Sequence, residues 1–134
     1  MSGLKKGVPM NNVKSAFTML YLLSSCDGEV SPSELDLIIK YLEENEDIID
    51  FDHHQLTGSL LFLSEGEIKL KLEETALEYK GNSSEEERSE LLKFGFKLII
   101  SDKKIATEEI RLFNILGRVW NIDIDEFIKV NHLY

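Results

Sequence analysis

The chain has 134 residues, of which 43% are hydrophobic and 30% charged, with 25 acidic against 15 basic residues and a net charge of −10. That composition belongs to a folded chain rather than a disordered one, and the length is enough for one domain spanning residues 1–134 around a real core. Binding phosphates needs clustered Lys and Arg, whereas here they are scattered among Glu. Nucleic acid and anionic membranes are therefore not expected partners, and basic protein surfaces and divalent cations remain.

The one cysteine, Cys26, cannot form an intramolecular disulfide. It sits in an apolar helical run, where a free thiol acts as a small hydrophobe, and a reduced intracellular setting is expected. The longest apolar runs, Met19 to Leu23 and Leu60 to Leu63, are too short for a membrane span or a signal segment.

Helical periodicity runs through nearly the whole chain. In the first helix Val13, Ala16, Phe17, Leu20 and Leu23 form one stripe, which Met19, Leu22 and Cys26 widen until most sides are apolar. It is expected to stop at Asp27-Gly28. Ser31-Pro32-Ser33-Glu34 supplies an N-cap, a proline at the first helical position and a glutamate three residues after the cap. The second helix then carries Leu35, Ile38, Ile39 and Leu42. Residues Glu43 to Asp52 read as a loop, with Asp50 or Asp52 as the next cap.

A third helix carries Leu56, Leu60 and Leu63, with Gly66 as its interruption, and a fourth carries Ile68, Leu72, Ala76 and Tyr79. Gly81 to Ser84 form a turn and cap. The fifth helix opens on Glu85 to Glu87, which suits the positive end of a helix dipole, and has an apolar body from Leu91 to Ile100. After a break at Ser101 to Ala106, the sixth starts near Thr107 and carries Ile110, Phe113, Leu116 and Trp120. The last begins at Asp123, paired with Glu126 in a second capping box.

A shift of 75 residues aligns two segments. Cys26 to Glu34 overlies Ser101 to Glu109, matching Asp27 with Asp102, Val30 with Ile105 and Glu34 with Glu109. Leu35 then falls on Ile110 and Ile38 on Phe113. Two copies at so long a period describe a duplicated helical hairpin, not a solenoid. The unit resembles the TerB-like (tellurite-resistance) family: an Asp-Gly turn, a small apolar residue, then Ser or Thr and Glu opening the next helix. Here that pattern is Asp27-Gly28-Glu29-Val30-Ser31-Pro32-Ser33-Glu34, and the second copy closes with Asn121-Ile122-Asp123. The second copy departs from the pattern, with Lys103 in place of the Gly. The resemblance spans about Val13 to Phe127. It implies an all-α fold of about seven helices and a cytoplasmic bacterial protein of stress or tellurite resistance, binding a divalent metal through acidic residues.

An EF-hand does not fit the first turn, because its opening ligand position would be Leu23, inside a helix. A metal site built from both copies, Asp27, Glu34, Asp102 and Glu109, is the candidate, and its all-oxygen set suits Mg²⁺ or Ca²⁺ before Zn²⁺. Capping explains Glu34 equally well, and the helix dipole favours an acid at Glu109 in any case. Against that, Asp27 and Asp102 each follow the negative end of a helix, and with Thr107 as cap Glu109 falls at the second helical position, where no capping box accounts for it.

His53-His54 reads as a surface pair at a helix start, since neighbours on a helix point about 100° apart. His132 reads as part of a frayed terminus. Trp120, Phe113 and Phe127 read as core, with an exposed Trp120 anchoring a partner as the alternative. No glycine-rich phosphate loop, nucleophile elbow or oxyanion loop appears.

The sequence thus describes an all-α bundle with the first and fifth helices as buried, pseudo-equivalent centres. The expected role is a non-catalytic binding or adaptor protein with a protein partner. The alternatives are a metal-dependent sensor or enzyme using the same carboxylates, and a domain that works by oligomerising.

Overall fold

The computed structural model describes residues 10–25, 30–45, 52–99 and 107–131. Among them run seven α-helices and no strand: α1 Met10–Ser24, α2 Pro32–Asn45, α3 His53–Leu60, α4 Glu65–Gly81, α5 Glu85–Ile99, α6 Thr107–Trp120 and α7 Ile124–Val130. The expectations at Cys26, Asp27 and Gly28, at the break from Ser101 to Ala106 and at His132 lie outside the described residues.

Serine-glutamate capping boxes open three of the helices. Ser31, Ser64 and Ser84 each accept a hydrogen bond from the backbone N–H three residues on, at 3.1, 3.3 and 3.1 Å. Glu34, Glu67 and Glu87 each accept one in return from the serine's own N–H, at 2.9, 2.7 and 2.8 Å. Each box satisfies two of the N–H groups that a helix start leaves without an intrahelical partner. Asp52 caps α3 by accepting from the N–H groups of His54 and Gln55. Asp123 caps α7 by accepting from that of Glu126.

Three boundaries differ from the sequence reading. The second helix continues through Asn45, so the loop expected from Glu43 is still helical at its start. The third helix stops at Leu60, before Leu63. Its break is made by Ser64 and not by Gly66, which sits inside the first turn of α4. An exposed glycine near a helix start costs at most about 1 kcal/mol, and a reciprocal cap outweighs that.

The 75-residue period holds through whole elements. Helix α5 has the length of α1 and begins 75 residues after it, and α6 stands in the same relation to α2. The two hairpins are not equally buried, however. In α1 every residue from Val13 to Ser24 is buried except Lys14. Neighbouring helices α2, α4, α5 and α6 all pack on it. In α5 the buried set is Leu91, Leu92, Gly95, Phe96 and Leu98, and Lys97 is exposed. The two pseudo-equivalent centres are therefore unequally buried, α1 more completely than α5.

The reason lies in α4, the long helix between the hairpins. Ser15, Thr18 and Leu22 lie on one stripe of α1, and the hydroxyl of Ser15 donates to Glu78 of α4 at 3.3 Å. The same positions in the second copy are Glu90, Lys93 and Lys97. These are charged, and Lys93 and Glu90 form a surface ion pair at 3.4 Å. One copy has a helix laid across this face and the other has solvent.

Stacked aromatic pairs join α5 to both α2 and α6. Tyr41 of α2 lies on Phe94 of α5 with ring centroids 4.1 Å apart, and Phe96 of α5 lies on Phe113 of α6 at 4.0 Å. Trp120 is 5% exposed, packs beside Tyr79 and donates its indole N–H to the carbonyl of Ala76 at 2.9 Å. It is a core residue joining α6 to α4, which removes the alternative of an exposed anchor.

Candidate functional site

The first acidic turn enters α2 through its capping box. Glu34 is half-buried, and its Oε1 accepts the N–H of Ser31. That bond fixes the carboxylate against the start of the helix and engages one of its two oxygens. Glu109 lies on α6, but its side chain, like Asp27 and Asp102 entirely, is outside the described residues. The helix that carries Glu109 begins with Thr107 as its first helical residue. This corrects the reading of Thr107 as cap and moves Glu109 from the second helical position to the third, the same position that Glu34 holds in α2.

The 75-residue register therefore puts Glu34 and Glu109 at equivalent points of equivalent helices. Among the described residues no three of His, Cys, Asp and Glu converge on one point. The donors named from the sequence are all carboxylates, and that chemistry fits a hard cation such as Mg²⁺ or Ca²⁺. Leu23, which would have to be the first ligand of an EF-hand loop, is a buried residue of α1.

His53 and His54 open α3 as a side-by-side pair with ring centroids 4.3 Å apart. The ring of His53 leans on Phe17, 6.0 Å away, so its surroundings are those of a half-buried aromatic.

The concave surface of the described residues includes two grooves. Between α1, α3 and α4 runs a polar groove of about 410 Å³ lined by Lys14, Ser15, Thr18, Lys71, Thr75 and Glu78. Two of its hydroxyls are committed to their own helices: Thr18 donates to the carbonyl of Lys14, and Thr75 to that of Lys71. Across α4, a second groove of about 300 Å³ lies against α6, lined by Lys69, Leu70, Glu73, Arg111, Ile115 and Arg118. Neither was legible beforehand, since each is assembled from helices distant in sequence.

The family model described as tellurite resistance protein TerB matches residues 14–132. The chain belongs to the TerB family. No curated protein and no solved structure matched. The TerB match runs from within α1 to beyond α7, which agrees with the all-α architecture. TerB membership suggests a function related to tellurite resistance. Among the described residues no helix is long and apolar enough to cross a membrane.

Proposed function

We propose that this TerB-family chain is a non-catalytic binding protein of a tellurite-resistance-like stress response in the cytoplasm. In this reading it presents an acidic surface to a protein partner and holds a divalent cation at its paired turns. The observation that carries the reading is the match to TerB over residues 14–132, taken with the register that gives Glu34 and Glu109 equivalent positions on α2 and α6. Asp27, Glu34, Asp102 and Glu109 would hold Mg²⁺ or Ca²⁺. The ion would supply positive charge against a chain of net charge −10 and would tie the two hairpins together. Glu34 would contribute the oxygen that its capping bond leaves over.

The same carboxylates would serve a metal-dependent sensor or enzyme, which also needs a pocket beside the ion with an open ligand position. The test is a thermal melt after chelation, with Mg²⁺, Ca²⁺, Mn²⁺ or Zn²⁺ returned, for the native chain and Asp27→Asn/Asp102→Asn. A cation bound only by the folded state raises the melting temperature as its concentration rises. The reading expects Mg²⁺ or Ca²⁺ to do so for the native chain and not for the variant. No shift at millimolar cation would remove the metal and leave the four acids as turn and cap residues.

A further inference from the structure

Polar side chains are sparse in the interior of this protein, and they are not scattered. Among the described residues the buried polar ones are Ser15, Thr18, Ser24 and Thr75. Three of these four, Ser15, Thr18 and Thr75, form the floor of the groove between α1, α3 and α4. A seam that only packs two helices is served by Ala and Val, without hydroxyls whose removal from water costs free energy. The hydroxyl protons in the groove are all committed. Thr18 and Thr75 donate to carbonyls of their own helices, Ser15 to Glu78, and Ser59 on the α3 wall to the carbonyl of Leu56. A hydroxyl oxygen keeps lone pairs after its proton is given, so these groups offer a ligand acceptors only. The side-chain donors left are the ammoniums of Lys14 and Lys71, and neither meets a carboxylate among the described residues.

The two ammoniums belong to opposite ends of the groove. Lys71 and Glu78 are seven residues apart on α4, about 10.5 Å along its axis. Lys14 precedes Ser15, which bonds Glu78 at 3.3 Å, and so belongs to the Glu78 end. We propose that this groove binds a small linear polyol with an anionic group at each end. One anionic group meets Lys71 and the other Lys14, while hydroxyls between them donate to Thr18 and Thr75. Glu78 selects an end whose anionic group has a hydroxyl beside it, to donate to the carboxylate oxygen that Ser15 leaves over. A dianion without hydroxyls would leave these acceptors without donors, and an uncharged polyol would leave both ammoniums without acceptors. The groove, about 410 Å³, has the size of a small-molecule site. Because charges beyond about 8 Å are screened at physiological salt, the chain's overall negative charge does not prevent the local attraction. In the second hairpin Glu90 and Lys93, an ion pair, replace Ser15 and Thr18, so the site belongs to the first hairpin alone. The proposal uses none of the residues of the acidic turns. A failed cation melt and a failed ligand titration therefore point to different sites.

The test is a titration of the ¹⁵N-labelled full chain with glucarate, a polyol with a carboxylate at each end. Gluconate has one of the two carboxylates, adipate has both but no hydroxyls, and glucitol has the hydroxyls without charge. The bisphosphate of glucitol carries phosphates at its ends and distinguishes the two kinds of anionic group. The tighter-binding of glucarate and the bisphosphate is expected to shift the amides of Thr18, Ser59 and Thr75. It should bind at least roughly tenfold more tightly than gluconate, adipate or glucitol, the loss expected for a missing hydrogen bond to a charged group. Lys14→Gln/Lys71→Gln should weaken its binding by at least roughly tenfold as well. Thr18→Val/Thr75→Val keeps the shape of the floor, removes its acceptors and should weaken binding by roughly a few-fold.

Circular dichroism checks that the variants fold, and if the threonine variant does not, the comparison of glucarate with adipate on the native chain tests the floor by itself. Equal binding of adipate or glucitol, shifts confined to another face, or affinity unchanged in the lysine variant would each overturn the proposal. So would absence of binding by both dianionic polyols at millimolar concentration.

Discussion

The indole N–H of Trp120 points into α4 and donates to the carbonyl of Ala76 at 2.9 Å. Trp120 is the chain's one tryptophan and ends α6, while Ala76 lies in the middle of the helix that covers α1. Trp120→Phe keeps most of the ring volume and removes the donor, so a cost of about 1–2 kcal/mol is expected in a denaturant melt. Trp120→Ala also empties the space beside Tyr79 and should cost about 3–5 kcal/mol. Because the ring is buried, its emission should lie well to the blue of the unfolded chain and move red in one step on unfolding. A native spectrum already at the unfolded position would contradict the packing.

Two glycines buried in the helices should respond in opposite directions to alanine. At Gly117 a Cβ would lie 2.6 Å from the backbone oxygen of Ile122 and 2.7 Å from Cγ1 of Ile124. There α6 closes by a hydrogen bond from the N–H of Ile122 to the carbonyl of Gly117, at 2.8 Å, with Asn121 left-handed at φ 58°. This is the 6→1 closure of a Schellman turn, which lets the chain double back into α7. Gly117→Ala must push the backbone apart and should cost about 1–3 kcal/mol. At Gly95 the nearest atoms to a Cβ are Phe113 Cε1 at 3.4 Å and Leu23 Cδ1 at 3.6 Å, which is ordinary contact. Gly95→Ala should therefore stabilise by roughly 0.5–1 kcal/mol through helix propensity. Urea midpoints for both variants decide it, and a stabilising Gly117→Ala would refute the closure.

The start of α4 should report on acid. The Glu67 carboxyl is held below its ordinary value, first by the backbone N–H of Ser64 and then by the Ser64 hydroxyl. A carboxyl lowered in the folded state contributes stability above its unfolded value, and that contribution is lost as pH falls through the lowered native value. The contribution of Glu67 is therefore complete at neutral pH and disappears only at and below the ordinary glutamate range. A ¹³C carboxyl titration should find Glu67 ionised below that range, and Ser64→Ala should move it part of the way back. The shift is only partial because the backbone N–H remains. Titration of Glu67 inside or above the ordinary range would contradict the capping geometry.

The parts of the fold legible in the sequence were those written locally. The starts of α2, α5 and α7, the apolar faces and the 75-residue register depend on caps and spacing within one helix. The start of α4 was equally local, since Ser64-Glu65-Gly66-Glu67 has the form of Ser31 to Glu34. It was hidden because Gly66 read as a breaker, although an exposed glycine in a first turn costs little against two capping hydrogen bonds. The unequal burial of α1 and α5 needed the position of α4. Sequence held a hint of it, in that Ser15, Thr18 and Leu22 become Glu90, Lys93 and Lys97 one period later. Both grooves lay beyond such reasoning, because Lys69 and Arg111 share a surface only once α4 and α6 have packed. Of the acidic turns, sequence named four candidate residues, and the structure describes the capping of Glu34.

Glu34 itself separates capping from cation binding. Its Oε1 accepts the Ser31 N–H at 2.9 Å, a bond that the amide oxygen of glutamine makes equally well. Glu34→Gln therefore preserves the capping box while removing the negative charge a hard cation requires. Without added metal, the melt of Glu34→Gln should lie within about 0.5 kcal/mol of the native chain, as for a surface change that keeps its hydrogen bond. Glu34→Ala should lie lower, because the Ser31 N–H loses its acceptor. With Mg²⁺ or Ca²⁺ added, the native chain should gain stability with concentration and Glu34→Gln should gain markedly less. If both variants keep the full cation-dependent shift, the carboxylate at position 34 only closes the helix, and the proposed ligand set must be reduced to residues outside α2.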